Sequence, residues 1–330
     1  MDNTQYKNIW VFAEQREGTL QNVAMELLGK ARELAAMHND KVCAVLFGYG
    51  IQGLAKECIA YGADDVLVAD MPELAKYTTE PYTQAITQLV AEYKPNIILI
   101  GATTIGRDLG PRLSARLATG LTADCTSLEM GEDGNLQMTR PAFGGNLMAT
   151  ILCKEHRPQM STVRPGVMKA LARDDKREGR ITKTDVKFDP AKFRVRIRET
   201  VKEQKDLIDI TEANILVSGG RGVGCAEGFR MLREMADTIG AQVSSSRAMV
   251  DAGLMDHSRQ VGQTGKTVRP DVYFAMGISG AIQHLAGMEE SEYIIAVNKD
   301  KFAPIFQSAD LGIVGDVNKI VPLITQKLKK

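Results

Sequence analysis

The chain has no surplus of either charge: 41 Lys and Arg stand against 41 Asp and Glu, so its formal net charge is zero. That balance excludes the basic footprint of a nucleic-acid binder and provides no attraction to an anionic membrane surface. No stretch comes near the roughly 18 consecutive apolar residues of a membrane span. Cysteine is sparse: Cys43, Cys58, Cys125, Cys153 and Cys225 are scattered, odd in number and without metal-ligand spacing. They read as free buried thiols of a reducing compartment, not as a disulfide frame or a zinc site. The segment Met1-Asp2-Asn3-Thr4-Gln5 lacks the basic-then-apolar order of a secretory leader, and a cytoplasmic location is expected. Catalytic signatures are missing too: there is no H-E-x-x-H, no Walker loop and no visible triad. His38 and His156 lie in polar surroundings and read as surface residues. No catalytic residue and no metal ligand is assigned.

With 330 residues, 44% of them hydrophobic and 25% charged, the chain has the profile of an ordinary globular protein and enough length for two domains. Its first 120 residues alternate strand and helix. Asn8 to Ala13, Val42 to Phe47, Val66 to Ala69 and Ile97 to Ile100 read as strands. Thr19 to Met37, Leu54 to Tyr61 and Pro81 to Tyr93 read as helices, the first with Val23, Leu27, Ala31 and Leu34 on one face. Such alternation implies a parallel sheet covered on both sides. From 121 to 200 helical periodicity fades. Asn135 to Thr139, Ala149 to Cys153 and Gln159 to Val163 are expected to complete the first sheet, and the charged run Arg173 to Arg180 to be solvated. The polar stretch Val201 to Asp206 marks a hinge, so the expected domains are 1–203 and 204–330. The fold class is α/β: two consecutive α/β domains with mostly parallel sheets, the C-terminal one Rossmann-like.

The second domain carries the chemistry. Five candidate strands end on glycine or polar residues: Ile215 to Val217 before Ser218-Gly219-Gly220-Arg221-Gly222, Ala241 to Val243 before Ser244-Ser245-Ser246-Arg247, Val272 to Met276 before Gly277-Ile278-Ser279-Gly280, Tyr293 to Val297 before Asn298, and Leu311 to Val314 before Gly315-Asp316. In open α/β sheets ligands sit beyond the carboxyl ends of the strands, so five such ends in sequence point to one dinucleotide site. The glycine loop is placed to open the helix Cys225 to Ile239 and to offer backbone N–H groups to a pyrophosphate. Its spacing is not G-x-G-x-x-G, and no ribose-binding acid follows about 20 residues later. A tight turn with an exposed arginine is the alternative for this loop, as a surface arginine is for Arg247 and an ordinary loop for Val261 to Lys266. Asn298 and Asp316 read equally as ligand contacts or as turn and cap residues. A cofactor site without a nucleophile or base favours a cofactor that does its own chemistry. A nicotinamide-dependent dehydrogenase is the competing reading, against which the broken fingerprint counts.

Those residues also resemble the α subunit of the electron-transfer flavoproteins over essentially the whole chain. The matching segments are Ser218-Gly219-Gly220-Arg221-Gly222, Ser246-Arg247, Gly262 to Lys266, Ile278 to Gly287, Ile294 to Asn298 and Ala309 to Asp316. Gly106-Arg107-Asp108-Leu109 with Pro111-Arg112 matches in the first domain. The resemblance implies an FAD in the C-terminal domain of a heterodimer with a β subunit. It also implies electron carriage to and from acyl-CoA dehydrogenase-type flavoenzymes. Some members hold a second FAD on the β subunit and split NADH electrons between ferredoxin and an acyl-CoA. By the same resemblance the FAD site comprises Arg221, Ser246, Arg247, Val261, Gly262, Gln263, Thr264, Ser279, Gly280, Ala281, Ile282, Gln283, His284, Asn298, Asp316 and Val317. Arg247 is similar to an arginine lying over the isoalloxazine, Thr264 to a partner of flavin N5, and His284 to a donor to the pyrimidine carbonyl. A helix N-terminus near Ser279 to Ala281 is expected to assist. The first domain is expected to meet the β subunit without a cofactor of its own, and the join near 203 to let the flavin domain swing.

Overall fold

The computed structural model describes residues 5–142, 147–200 and 209–329. The chain divides into two compact units, Met1–Val201 and Lys202–Lys330. The join expected near 203 lies outside the described residues.

The first unit runs through β1 (Ile9–Phe12), a small hairpin of β2 (Gln15–Arg16) and β3 (Thr19–Leu20), α1 (Asn22–Ala36), β4 (Val42–Gly48), α2 (Leu54–Ala60), β5 (Asp65–Asp70), α3 (Thr79–Tyr93), β6 (Ile97–Gly101), α4 (Thr104–Leu117) and β7 (Leu121–Cys125). It continues with β8 (Ser127–Met130), β9 (Leu136–Ala142), β10 (Leu147–Ile151), β11 (Gln159–Val163) and β12 (Arg180–Lys183). Seven strands form one sheet in the order β12-β5-β4-β1-β6-β11-β7, every pairing parallel. β1, β4 and β6 are buried along their whole length, because helices cover both faces of the sheet. Their side chains alternate between two cores. Ile9, Val11, Ala44 and Leu99 pack with Leu27 and Leu28 of α1, whereas Trp10, Phe12, Val45 and Ile98 pack with Ile86 and Leu89 of α3 and Leu109 of α4.

Several expectations need correction here. β9 and the segment at Ala149 do not complete the large sheet: β8, β9 and β10 form a separate three-stranded antiparallel sheet, and only β11 joins the parallel one. The difference is burial, since β11 is fully buried whereas β10 leaves Leu147 and Met148 exposed. The charged run ending at Arg180 is not simply solvated. Arg177 donates to Asp64 at 2.8 Å, and Arg180 opens β12 beside β5. The helix α4 was unforeseen because glycines and Pro111 break its pattern; Thr103 caps it, its side chain accepting from Gly106 N at 3.0 Å.

The second unit contains β13 (Ile215–Gly219), α5 (Ala226–Ile239), β14 (Gln242–Ser245), α6 (Arg247–Asp251), β15 (Val272–Met276), α7 (Ile282–Leu285), β16 (Tyr293–Asn298), β17 (Leu311–Val314) and α8 (Val317–Leu328). Its five strands are all parallel, in the order β14-β13-β15-β16-β17. Counted within the unit this is 2-1-3-4-5, the flavodoxin-like form of the doubly wound sheet, whose strand order reverses between β13 and β15. Phe229, Leu232, Met235 and Ala236 bury one face of α5, and Gly240 ends it in the left-handed region at φ +68°. Among the thiols, Cys43, Cys58 and Cys125 are buried as expected, but Cys225 is exposed at the start of α5.

Candidate functional site

At the reversal point the two central strands come very close. Gly220 N donates to Met276 O at 2.9 Å and Gly222 N to Gly277 O at 3.0 Å. A Cβ on Gly220 would lie 2.4 Å from Gly277 O, and one on Gly222 would lie 2.7 Å from Gly277 Cα. Only glycine allows this approach. It opens a cleft of about 690 Å³ over the carboxyl ends of the sheet, within the size range of small-molecule sites. All five strand ends contribute walls: Gly220 to Gly222 after β13, Ser246 and Arg247 after β14, Gly277 to Ser279 after β15, Asn298 and Lys299 at β16, and Gly315 and Asp316 after β17. The loop Gln260 to Thr264 and residues Ala281, Gln283 and His284 close the remaining side.

Among the residues expected from the sequence, Arg221, Ser246, Arg247, Val261, Gly262, Gln263, Thr264, Ser279, Ala281, Gln283, His284, Asn298, Asp316 and Val317 line this cleft. Gly280 and Ile282 do not. Gly280 turns away at φ +86°, where a Cβ would meet Ile305 N at 2.2 Å, and Ile282 points to solvent with 46% of its surface exposed. Two helix-terminus expectations also fail. α7 has only four residues, too few for a useful dipole. The first turn of α5 is separated from the cleft by the 3₁₀ turn Arg221–Val223, so Gly220 to Gly222 themselves face the site.

Several polar wall residues are also tied into the fold. Asn298 Nδ2 donates to Ile278 O at 2.8 Å and its Oδ1 accepts from Asp300 N at 3.0 Å, which ties the end of β16 to the turn after β15. Asp316 caps α8, accepting from Asn318 N at 2.9 Å. Arg247 is 68% exposed and its Nε lies 3.4 Å from Asp251 Oδ2, a loose pair that leaves the guanidinium free to face a ligand. Gln260, which nothing in its sequence context singled out, is buried and donates to Thr264 Oγ1 at 3.2 Å.

His284 is the most constrained residue of the wall. Its Nδ1 is 3.1 Å from Val261 O, and its Nε2 is 3.0 Å from the Tyr273 hydroxyl. Burial lowers its pKa from 6.5 to about 4, the Val261 carbonyl opposing that shift, so the ring is neutral near pH 7. Both ring nitrogens are thus committed to protein atoms. Below it, Ser218, Ser244 and Ser245 bury hydroxyls that lack partners. No described helix is long and apolar enough to cross a membrane, and no metal-ligating cluster occurs among the described residues. Chemically the cleft suits a ligand that is anionic in part: Arg221, Arg247 and Lys299 on its walls outnumber the carboxylates Asp251 and Asp316.

Residues 9–189 match the model of the electron transfer flavoprotein domain, and residues 209–289 match that of the electron transfer flavoprotein FAD-binding domain. The chain is 56% identical to an electron transfer flavoprotein subunit alpha of Thermoanaerobacterium thermosaccharolyticum, the alignment covering 98% of both chains. It is 47% identical to the acryloyl-CoA reductase electron transfer subunit beta of Anaerotignum propionicum, over 100% of this chain and 97% of that one. It is 44% identical to subunit LctC of the lactate dehydrogenase (NAD(+),ferredoxin) of Acetobacterium woodii, over 98% of this chain and 77% of that one.

Proposed function

We infer the function from two facts together: the chain belongs to the electron transfer flavoprotein family, and its C-terminal unit gathers five strand ends around one cleft. It is the α subunit of a heterodimeric electron-transfer flavoprotein, holding FAD in that cleft and passing electrons between flavoenzymes of the acyl-CoA dehydrogenase type and other redox partners. The convergence of all five strand ends is the observation that carries this reading. Ligands of open α/β sheets lie beyond the carboxyl ends of the strands at the switch point, and here all five ends border one cleft.

The residues present fit FAD. Gly220, Gly222 and Gly262 leave no room for a Cβ where strand ends and loop pack together, so bare backbone forms part of the cleft wall. FAD, once bound, supplies the chemistry of taking up electrons singly or in pairs. Arg247 places a cation on the wall, which favours added negative charge on whatever is held there. Thr264, whose oxygen already accepts from Gln260, has its hydroxyl hydrogen free to donate into the cleft. The first unit has a broad α/β body suited to binding a β subunit, the partner the family implies.

The name of one relative, the lactate dehydrogenase (NAD(+),ferredoxin) subunit, supports membership of the bifurcating branch, with a second FAD on the partner subunit. The test is co-production with the β subunit and cofactor analysis of the purified heterodimer. FAD bound through the α subunit is expected, and two FAD per heterodimer mark a bifurcating pair. A folded, colourless heterodimer that takes up no added FAD overturns the assignment.

A further inference from the structure

The loop that walls the cleft is closed at its base by a lysine that does not line the cleft itself. Lys266 N donates to Gln260 O at 2.8 Å, and its carbonyl accepts from Gly262 N at 3.1 Å. Its side chain goes to another part of the unit: Nζ lies 2.7 Å from each carboxylate oxygen of Asp209. Asp209 stands where the described chain of the second unit begins. The same carboxylate caps the 3₁₀ turn Ile210–Glu212, its Oδ1 accepting from Thr211 N at 3.0 Å and from Thr211 Oγ1 at 2.9 Å. One side chain thus serves both the loop and the segment by which the chain enters the unit.

The other flank of the loop carries a second cation. Arg259, immediately before Gln260, is buried, and its Nη1 donates to Gln242 Oε1 at 3.2 Å. Burial lowers its pKa, and the negative charges of Asp209 and Asp256 oppose that shift. Asp209 therefore acts on both ends of the loop. Ile210, the next residue, is buried in one core cluster with Val261 and Val268. A partly exposed ion pair such as Lys266–Asp209 contributes little to global stability. Its effect is positional, because two equal contacts fix the ammonium against both carboxylate oxygens. The entry segment is thus linked to the loop by an ion pair, by a longer-range charge attraction and by apolar packing, while Val261 to Thr264 of that loop face the cleft.

We propose that Asp209 and Lys266 are positioning residues: their ion pair makes the entry segment and the cleft loop one element, so that a ligand held against Val261 to Thr264 also orders residues 209–212. Linkage makes the coupling reciprocal, and an intact pair tightens the hold on the ligand by the same factor. Neither side chain lines the cleft, and both act through the loop backbone. The identity of the ligand rests on the flavin reading, but the pair can be judged without any cofactor.

The experiment uses the αβ heterodimer, with and without FAD, and reads amide hydrogen exchange together with FAD affinity. In the unmodified protein FAD is expected to slow exchange at the Lys266 N–H of the loop and at the Thr211 N–H of the entry segment together. In Lys266→Met it should still slow the loop amide but leave Thr211 as in the FAD-free protein, with affinity about threefold weaker, the size of effect of a partly exposed ion pair. Asp209→Asn keeps an oxygen for Thr211 and removes the charge, so it should behave like Lys266→Met. Lys266→Arg retains a cation able to reach both oxygens and should keep most of the affinity and of the Thr211 response. Without FAD, both charge-removing variants should speed Thr211 exchange severalfold. FAD that slows Lys266 but leaves Thr211 unchanged in the unmodified protein overturns the proposal, even if a variant fails to fold. So does a folded Lys266→Met or Asp209→Asn heterodimer with native affinity and a native Thr211 response, or a Lys266→Arg no better than Lys266→Met. An unmodified heterodimer that binds no FAD defeats the functional assignment instead. The FAD-free comparison then judges the pair, and Thr211 exchange unchanged by loss of either charge overturns it.

Discussion

Gln260 Nε2 donates to Thr264 Oγ1 at 3.2 Å, across the base of the loop that walls the cleft. The bond occupies one acceptor site of the threonine and so turns the O–H outward, toward the space where a flavin would lie. Replacing Gln260 by Met keeps the volume and removes the donor. FAD affinity in the heterodimer is expected to fall about fivefold, corresponding to one net hydrogen bond of about 1 kcal/mol. Equilibrium titration monitored by flavin fluorescence checks it, and an unchanged affinity rules out this orienting role.

Arg247→Ala should make the bound flavin harder to reduce. A cation on the cleft wall stabilises added electrons, and the residue is 68% exposed, so screening keeps the effect modest. A fall in the first-electron potential on the order of tens of millivolts is expected, with Arg247→Lys retaining most of the native value. Spectroscopic redox titration is the measurement. Equal potentials in the native and alanine proteins would remove Arg247 from this role.

Gly220→Ala strikes the meeting of β13 and β15. The added methyl would lie 2.4 Å from Gly277 O, a backbone atom that cannot rotate away. A destabilisation of about 1–3 kcal/mol is expected from overpacking, together with weakened FAD binding. Gly224, at φ +88° with open space around its Cβ position, is the control: its alanine variant should strain the backbone without narrowing the cleft. Thermal melting and FAD titration on both variants separate the two effects.

Acid should weaken the C-terminal unit before it weakens the first. His284 has a pKa lowered from 6.5 to about 4 by burial, so the unfolded chain binds the proton more readily than the folded one. The contribution of the neutral ring is complete above pH 6.5 and is lost progressively as pH falls toward 4, by up to roughly 3 kcal/mol. The titratable neighbour across the bond, Tyr273, has its pKa raised by burial and stays neutral throughout. Urea unfolding at pH 7.5 and pH 5 should show this loss in the native chain and a smaller one in His284→Asn. Identical pH slopes would mean that His284 is not the group responsible.

Much of the second unit was legible because its signals are local. Each parallel strand is a short apolar run with a glycine or polar residue at its end, and both features survive in a one-dimensional reading. The same locality explains the gaps. Gln260 looks like any loop glutamine until folding buries it against Thr264. Ile282 and Gly280 sit inside a segment whose neighbours face the cleft, and only the turn geometry at Gly280 shows which side chains do not. His284 was singled out, but the partners that fix its proton lie at positions 261 and 273, far from it along the chain. In the first unit, β9 and β10 carry strand-like residues, yet sheet membership is decided by what covers them. No alternation rule distinguishes a strand of the main sheet from one of a small antiparallel flap.

The cleft exists only where β13 and β15 lie side by side with every neighbouring strand in place. A ligand that fits this groove recognises the native fold and has nothing to grip on the denatured chain. Its binding energy therefore adds directly to resistance against unfolding, about 4 kcal/mol when free ligand exceeds its dissociation constant a thousandfold. Vitamin supply would then govern how long the polypeptide survives proteolysis, as well as how much of it is active.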